Sequence, residues 1–137
     1  MTIFLFLKNL ILKWKVTKIS TDSHKKQSFG LKHMTLEKLG SVFQKHDAID
    51  SVIIYGSRAK GTYKEGSDID LTIKGLALSF FELMQIEDQI DDLYLPYGVD
   101  LSQYEQLKNT DLINHIDRVG IVIYDKNQAG RPFDCCF

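Results

Sequence analysis

From Thr35 onward, apolar and polar residues recur with two distinct periods. In TLEKLGSVFQKHD, Leu36, Leu39, Val42 and Phe43 return every three or four residues, the spacing of one helix face, and Thr35 ahead of them suits an N-cap. SVIIYG (51–56) is a β-branched and aromatic run closed by glycine, and it predicts a buried strand. GSRAKGTYKEGS, punctuated by Gly56, Gly61 and Gly66, predicts a loop with room for one helical turn after Gly56. DIDLTIKG then alternates: Asp68, Asp70 and Thr72 face one way, and Ile69, Leu71 and Ile73 the other.

Behind Ser79, FFELMQIEDQIDDL predicts a helix with Phe80, Leu83, Met84, Ile86 or Glu87, and Ile90 along its inner face and an acidic, solvated outer face. YGVDLS (97–102) predicts a third strand with Val99 and Leu101 inward and Asp100 outward. Thr110 suits the cap of a helix through DLINHIDRVG, ended by Gly120, and IVIYD supplies a last strand. The order helix, strand, strand, helix, strand, helix, strand predicts an α/β (α+β) fold, without internal repeats.

At 137 residues the chain fits one domain, and 44% hydrophobic with 26% charged residues is the composition of a globular protein. A formal net charge of -1 offers no general attraction for nucleic acid. Charge is unevenly spread, however: residues 1–33 hold seven lysines and one aspartate, the remainder ten Lys/Arg against seventeen Asp/Glu. That asymmetry sets 1–33 apart as an N-terminal extension outside the core fold, with Met34 resembling a natural start, a domain over 34–126 and a tail over 127–137. The extension's longest apolar run is Ile3 to Leu7, far short of the roughly 20 residues of a membrane span, and it lacks the layout of a signal peptide. The only cysteines, Cys135 and Cys136, are adjacent and build no disulfide framework, which suits a cytoplasmic protein.

Candidate chemistry gathers between Tyr55 and Leu71. Gly56 permits positive φ and Ser57 adds a hydroxyl and an N–H at a turn, the makings of a cradle for phosphate oxygens. Asp68 and Asp70, two apart on a strand, project from one face and can share a hard cation such as Mg2+. Either feature alone is common in turns and strands. Asp100, on a neighbouring strand, adds a third acid to that face, and three carboxylates there repel one another unless a cation lies among them. Such a face suits phosphoryl or nucleotidyl transfer assisted by two metals. Arg58, Lys60 and Lys64 suit a phosphate contact or a solvated basic loop equally well, and the four histidines show no ligand spacing.

Gly56-Ser57, the ten residues Arg58 to Ser67 and then Asp68-Ile69-Asp70 together resemble the signature of the polymerase β-type nucleotidyltransferases, specifically the minimal nucleotidyltransferase (MNT) branch, and VDL at 99–101 resembles that family's third-carboxylate strand. The resemblance spans about residues 35–125. It implies a small twisted mixed sheet flanked by helices, with ATP phosphates on Gly56 and Ser57, Arg58 and Ser67 beside them, and two Mg2+ ions on Asp68, Asp70 and Asp100. It further implies an antitoxin that transfers AMP from ATP to a tyrosine of a cognate HEPN-type RNase toxin. The chain itself carries no Arg-(four to six residues)-His-x-Tyr motif of the toxin. Two other functions fit the same residues: an antitoxin acting by binding alone, and a nucleotidyltransferase for a small acceptor whose pocket would need a dimer.

Overall fold

The structure, a computed structural model, describes residues 28–128. Its elements are α1 (His33–Phe43), β1 (Ser51–Tyr55), α2 (Gly56–Lys60), β2 (Ile69–Lys74), α3 (Phe80–Asp91), β3 (Val99–Gln103), α4 (Thr110–Val119) and β4 (Ile121–Asp125), with single 3-10 turns at Tyr104–Gln106 and Lys126–Gln128. The strands form one mixed sheet in the order β3-β2-β1-β4. β1 runs antiparallel to both β2 and β4, and β2 runs parallel to β3. A parallel pair needs a long crossover, and α3 supplies it. The α+β class and the helix-flanked mixed sheet expected from the sequence are what the chain forms.

Alternation along the strands divides the sheet into two faces. Val52, Ile54, Ile69, Leu71, Ile73 and Leu101 enter the main core, with Leu39, Val42 and Phe43 of α1 and Ile86 and Ile90 of α3. Full burial of each such side chain is worth about 1.5–3 kcal/mol, so this layer supplies most of the fold's cohesion. On the opposite face Ile53 and Tyr55 pack with Ile116 of α4, flanked by Tyr104, Leu107 and Leu112. The smaller cluster covers only part of that face, and the acids lie beside it.

Helix starts follow side-chain oxygens where these exist. Ser79 Oγ accepts from the Glu82 N–H at 3.1 Å and caps α3. α4 is capped by Asn109 instead of Thr110: Asn109 Oδ1 accepts from the N–H groups of Asp111 and Leu112 at 2.9 and 3.2 Å. α1 begins at His33 without a side-chain cap, and Thr35 is a buried residue inside it. The amide of Thr35 already donates to the Lys32 carbonyl, so the helix has started before the residue expected to cap it.

α3 is rotated from the expected phase. Phe80 and Phe81 are 74% and 70% exposed and Met84 is also exposed, whereas Ile86 and Ile90 are buried and Leu83 packs at the core's edge. His46, buried after α1, sets this rotation: its Nδ1 lies 3.2 Å from Glu82 Oε1 and its Nε2 2.9 Å from Gln89 Oε1. Turning Phe80 and Met84 inward would break both contacts.

The domain also begins earlier than the expected boundary at residue 34. Leu31 is 4% exposed within the main core, Phe29 packs against it, and Lys32 is the N-terminal flank of α1. Residues 28–33 are thus part of the folded unit. The remainder of the N-terminal extension (1–27) and the tail from 129, with Cys135 and Cys136, lie outside the described residues. Among the described residues no helix is long and apolar enough to cross a membrane.

Candidate active site

β1 ends at Tyr55, and the chain turns at Gly56 with φ +71° into the single helical turn α2, which Gly61 closes at φ +79°. Gly56 is required twice over. A side-chain-bearing residue at this φ is strained, and a Cβ here would strike Asp70 Oδ2. The turn's backbone therefore lies directly against a carboxylate of β2, which joins the two halves of the Gly-Ser and Asp-x-Asp pattern in space.

Strand register completes the constellation. Tyr55 pairs with Asp70 across β1 and β2, and Asp70 pairs with Asp100 across β2 and β3, so the three stand in one row on one face. Asp68 lies one residue before β2, and its Oδ1 approaches Gly98, where a Cβ would come within 2.5 Å. The Ile69 N–H donates to the Gly98 carbonyl at 2.8 Å, which ties the Asp68 backbone to the start of β3. Each aspartate of the Asp-x-Asp pair thus rests against a glycine whose missing side chain makes the room.

Loss of water holds the Asp70 carboxyl above the usual carboxylate range, and the neighbouring Asp100 and Asp68 push it further; His115 and Arg58 act in the opposite direction. The Tyr55 hydroxyl is likewise raised, chiefly by burial and also by Asp100 and Asp70, while a hydrogen bond with Ser102 opposes them. A half-buried carboxylate between two others is electrostatically unsatisfied, and positive charge is what relieves it.

His115 of α4 belongs to this neighbourhood, its ring edge-on to that of Tyr55 with centroids 6.3 Å apart. No local spacing announces it, because the contact arises only when α4 folds over the second sheet face.

Arg58 departs from the sequence expectation. Neither solvated nor open, the residue is 2% exposed, and its guanidinium donates to backbone carbonyls: Nε and Nη2 to Ser67 at 3.1 and 2.7 Å, and Nη1 to Phe29 at 2.9 Å. Tyr97 and Tyr63 stack on it, 4.8 and 5.2 Å from its carbon to their ring centres. Ser67, expected beside the nucleotide, accepts from Arg58 with its carbonyl and from the Lys64 N–H with its hydroxyl at 2.9 Å. Both therefore brace the loop between α2 and β2, while Lys60 and Lys64 remain exposed.

Among the described residues no three ligating side chains close into a ready-made metal group. Asp68 and Asp100 are exposed and Asp70 half-buried, as expected of repelling carboxylates open to water. The donor set still fits Mg2+, a hard ion commonly held by one or two carboxylates together with substrate phosphates. Asp68, Asp70 and Asp100 would hold it.

The fold is shared with solved structures. A toxin–antitoxin crystal structure with AMP-PNP superposes with a TM-score of 0.55 at 19% identity, over 72% of this chain and 77% of that one. The toxin–antitoxin MntA-HepT gives 0.51 at 15% identity, over 74% and 80%. A tri-AMPylated Shewanella oneidensis HEPN toxin in complex with MNT antitoxin gives 0.50 at 16% identity, over 73% and 77%. At these identities the likeness is one of fold. No curated protein matches the chain. The family model described as Polymerase beta, Nucleotidyltransferase matches residues 37–129, the stretch that carries the glycine turn and all three aspartates. With that match over most of its length, the chain belongs to the polymerase beta nucleotidyltransferase family.

Proposed function

We propose that this chain is a Mg2+-dependent nucleotidyltransferase of the minimal type, which moves AMP from ATP to a tyrosine of a cognate HEPN-type toxin and so acts as its antitoxin. The observation that carries the reading is the contact of Gly56 with Asp70, which sets the glycine-serine turn against the middle of a carboxylate row. The neighbours in fold support the rest, since one holds AMP-PNP and another an AMPylated toxin.

In this reading the N–H groups at Gly56 and Ser57 take phosphate oxygens, and Asp68 and Asp70 present their carboxylates to the cation side of the same phosphates. Bound Mg2+ would neutralise the triphosphate and align attacking and leaving oxygens. Asp100, exposed at the end of the row, accepts the proton of the incoming tyrosine as its oxygen bonds to the α-phosphorus and pyrophosphate departs. The open face around Asp68 and Asp100 suits an acceptor carried by another protein.

Incubation with labelled ATP, Mg2+ and the product of the neighbouring gene should label that product. Absence of transfer between two folded proteins would remove the proposal.

Neutralisation by binding alone is the second reading. The exposed apolar group of Leu76, Phe80, Phe81 and Met84 favours it as a face able to cover a partner. An Asp68→Asn, Asp70→Asn double variant that still protects cells would decide for it.

A further inference from the structure

The chain segment before α1 and the loop before Asp68 meet at one buried side chain. Arg58 leaves α2, passes between the rings of Tyr63 and Tyr97, and spends its planar fork on the Ser67 carbonyl on one side and the Phe29 carbonyl on the other. An arginine at 2% exposure is costly to desolvate, and here carbonyl oxygens and aromatic faces compensate it. Ser67 immediately precedes Asp68, and Arg58 immediately follows Ser57. The same side chain therefore links the Gly56-Ser57 turn to Asp68. On the far side, Leu31 anchors the strut in the main core, and Gly30 at φ +68° presses so closely on Tyr63 that a Cβ would collide with the ring.

We infer that Arg58 is a positioning residue for this site and that Phe29–Leu31 are its counterpart, so that the segment before α1 helps set the distance between the Gly56-Ser57 turn and Asp68. The inference rests on the nucleotidyltransferase reading for what is positioned. It moves residues 28–31 from a presumed extension into the active-site scaffold, and it accounts for a buried arginine whose fork is spent on backbone carbonyls.

Two full-length variants test it from opposite ends. Arg58→Lys keeps the charge and loses both the fork and the stacking. Gly30→Ala leaves Arg58 in place and displaces Tyr63. Each should weaken Mg2+-ATP binding and lower kcat by ~10- to 100-fold, the scale of a small misplacement in a reacting geometry, with the circular dichroism of the folded protein retained. Because both act on one strut, the double variant should be no worse than the poorer single variant. If affinity and kcat stay within about twofold of the wild type while only the melting temperature falls, Arg58 merely stabilises the fold and the inference is overturned. Should Arg58→Lys fail to fold, Tyr63→Leu, at a partly exposed ring, carries the same comparison. If the wild-type protein neither binds nor transfers nucleotide, the function reading fails by itself. Amide exchange across residues 56–67 then judges the strut: protection lost in Gly30→Ala upholds it, and unchanged protection overturns it.

Discussion

Gly56 and Asp70 meet backbone to carboxylate, at a point where an added Cβ would strike the carboxylate. The contact joins the end of β1 to the centre of β2 and couples the turn's geometry to that of the acid row.

Gly56→Ala should therefore do two kinds of damage. Its φ of +71° costs a non-glycine residue about 1–2 kcal/mol, and the new methyl must displace the Asp70 carboxylate. Gly61→Ala shares the positive φ, +79°, but has open space around it, so it should cost only that backbone strain of about 1–2 kcal/mol and leave transfer intact. Thermal melts and transfer assays of the two side by side check this; equal activity in both variants contradicts it.

Asp70 has a raised carboxyl in the folded state, so between the ordinary carboxylate range and that raised value the folded chain keeps a proton the unfolded chain has released. The metal-free protein should consequently lose stability as pH rises through this window and carry the ionisation cost at neutral pH. Asp70→Asn removes the cost and should raise the metal-free melting temperature at neutral pH. It should also abolish transfer, by ~10³-fold or more. Melting curves with and without Mg2+ are the check: Mg2+ should stabilise the wild type and leave the variant unmoved.

His115 pulls the Asp70 carboxyl downward against its acidic neighbours. His115→Gln removes that pull, so Asp70 should titrate at higher pH and the acid limb of the kcat/KM profile should move upward. A profile that keeps its acid limb in place would show that His115 does not act on the site.

Gln103 is buried at the inner end of β3, where Nε2 donates to the carbonyls of Leu78 and Gly75 at 3.1 and 3.4 Å. Gln103→Leu leaves those carbonyls unsatisfied and should destabilise the fold by about 1–3 kcal/mol. Nucleotide binding should persist in the fraction that remains folded. Chemical denaturation gives the first number and a Mg2+-ATP titration the second.

Where a feature depended on neighbours in sequence, it was legible before folding. The two-residue period of DIDLTIKG identified β2 and assigned Asp70 and Leu71 to opposite faces, because a strand alternates its side chains whatever packs on it. The Ser79 cap is equally local, since its oxygen and the amide it serves are three residues apart. The cap expected at Thr110 falls instead on Asn109, which offers an equal oxygen one residue earlier.

The sequence by itself determined the elements, their order, and the composite of Gly56, Ser57, Asp68, Asp70 and Asp100, since these rest on spacing and local chemistry. Tertiary structure decided what depends on distant partners. His46 set the rotation of α3, the packing of α4 brought His115 to Tyr55, and the carbonyls of Phe29 and Ser67 drew Arg58 inside. A buried charge goes where its hydrogen bonds can be completed, and for Arg58 one of the acceptors lies 29 residues away along the chain.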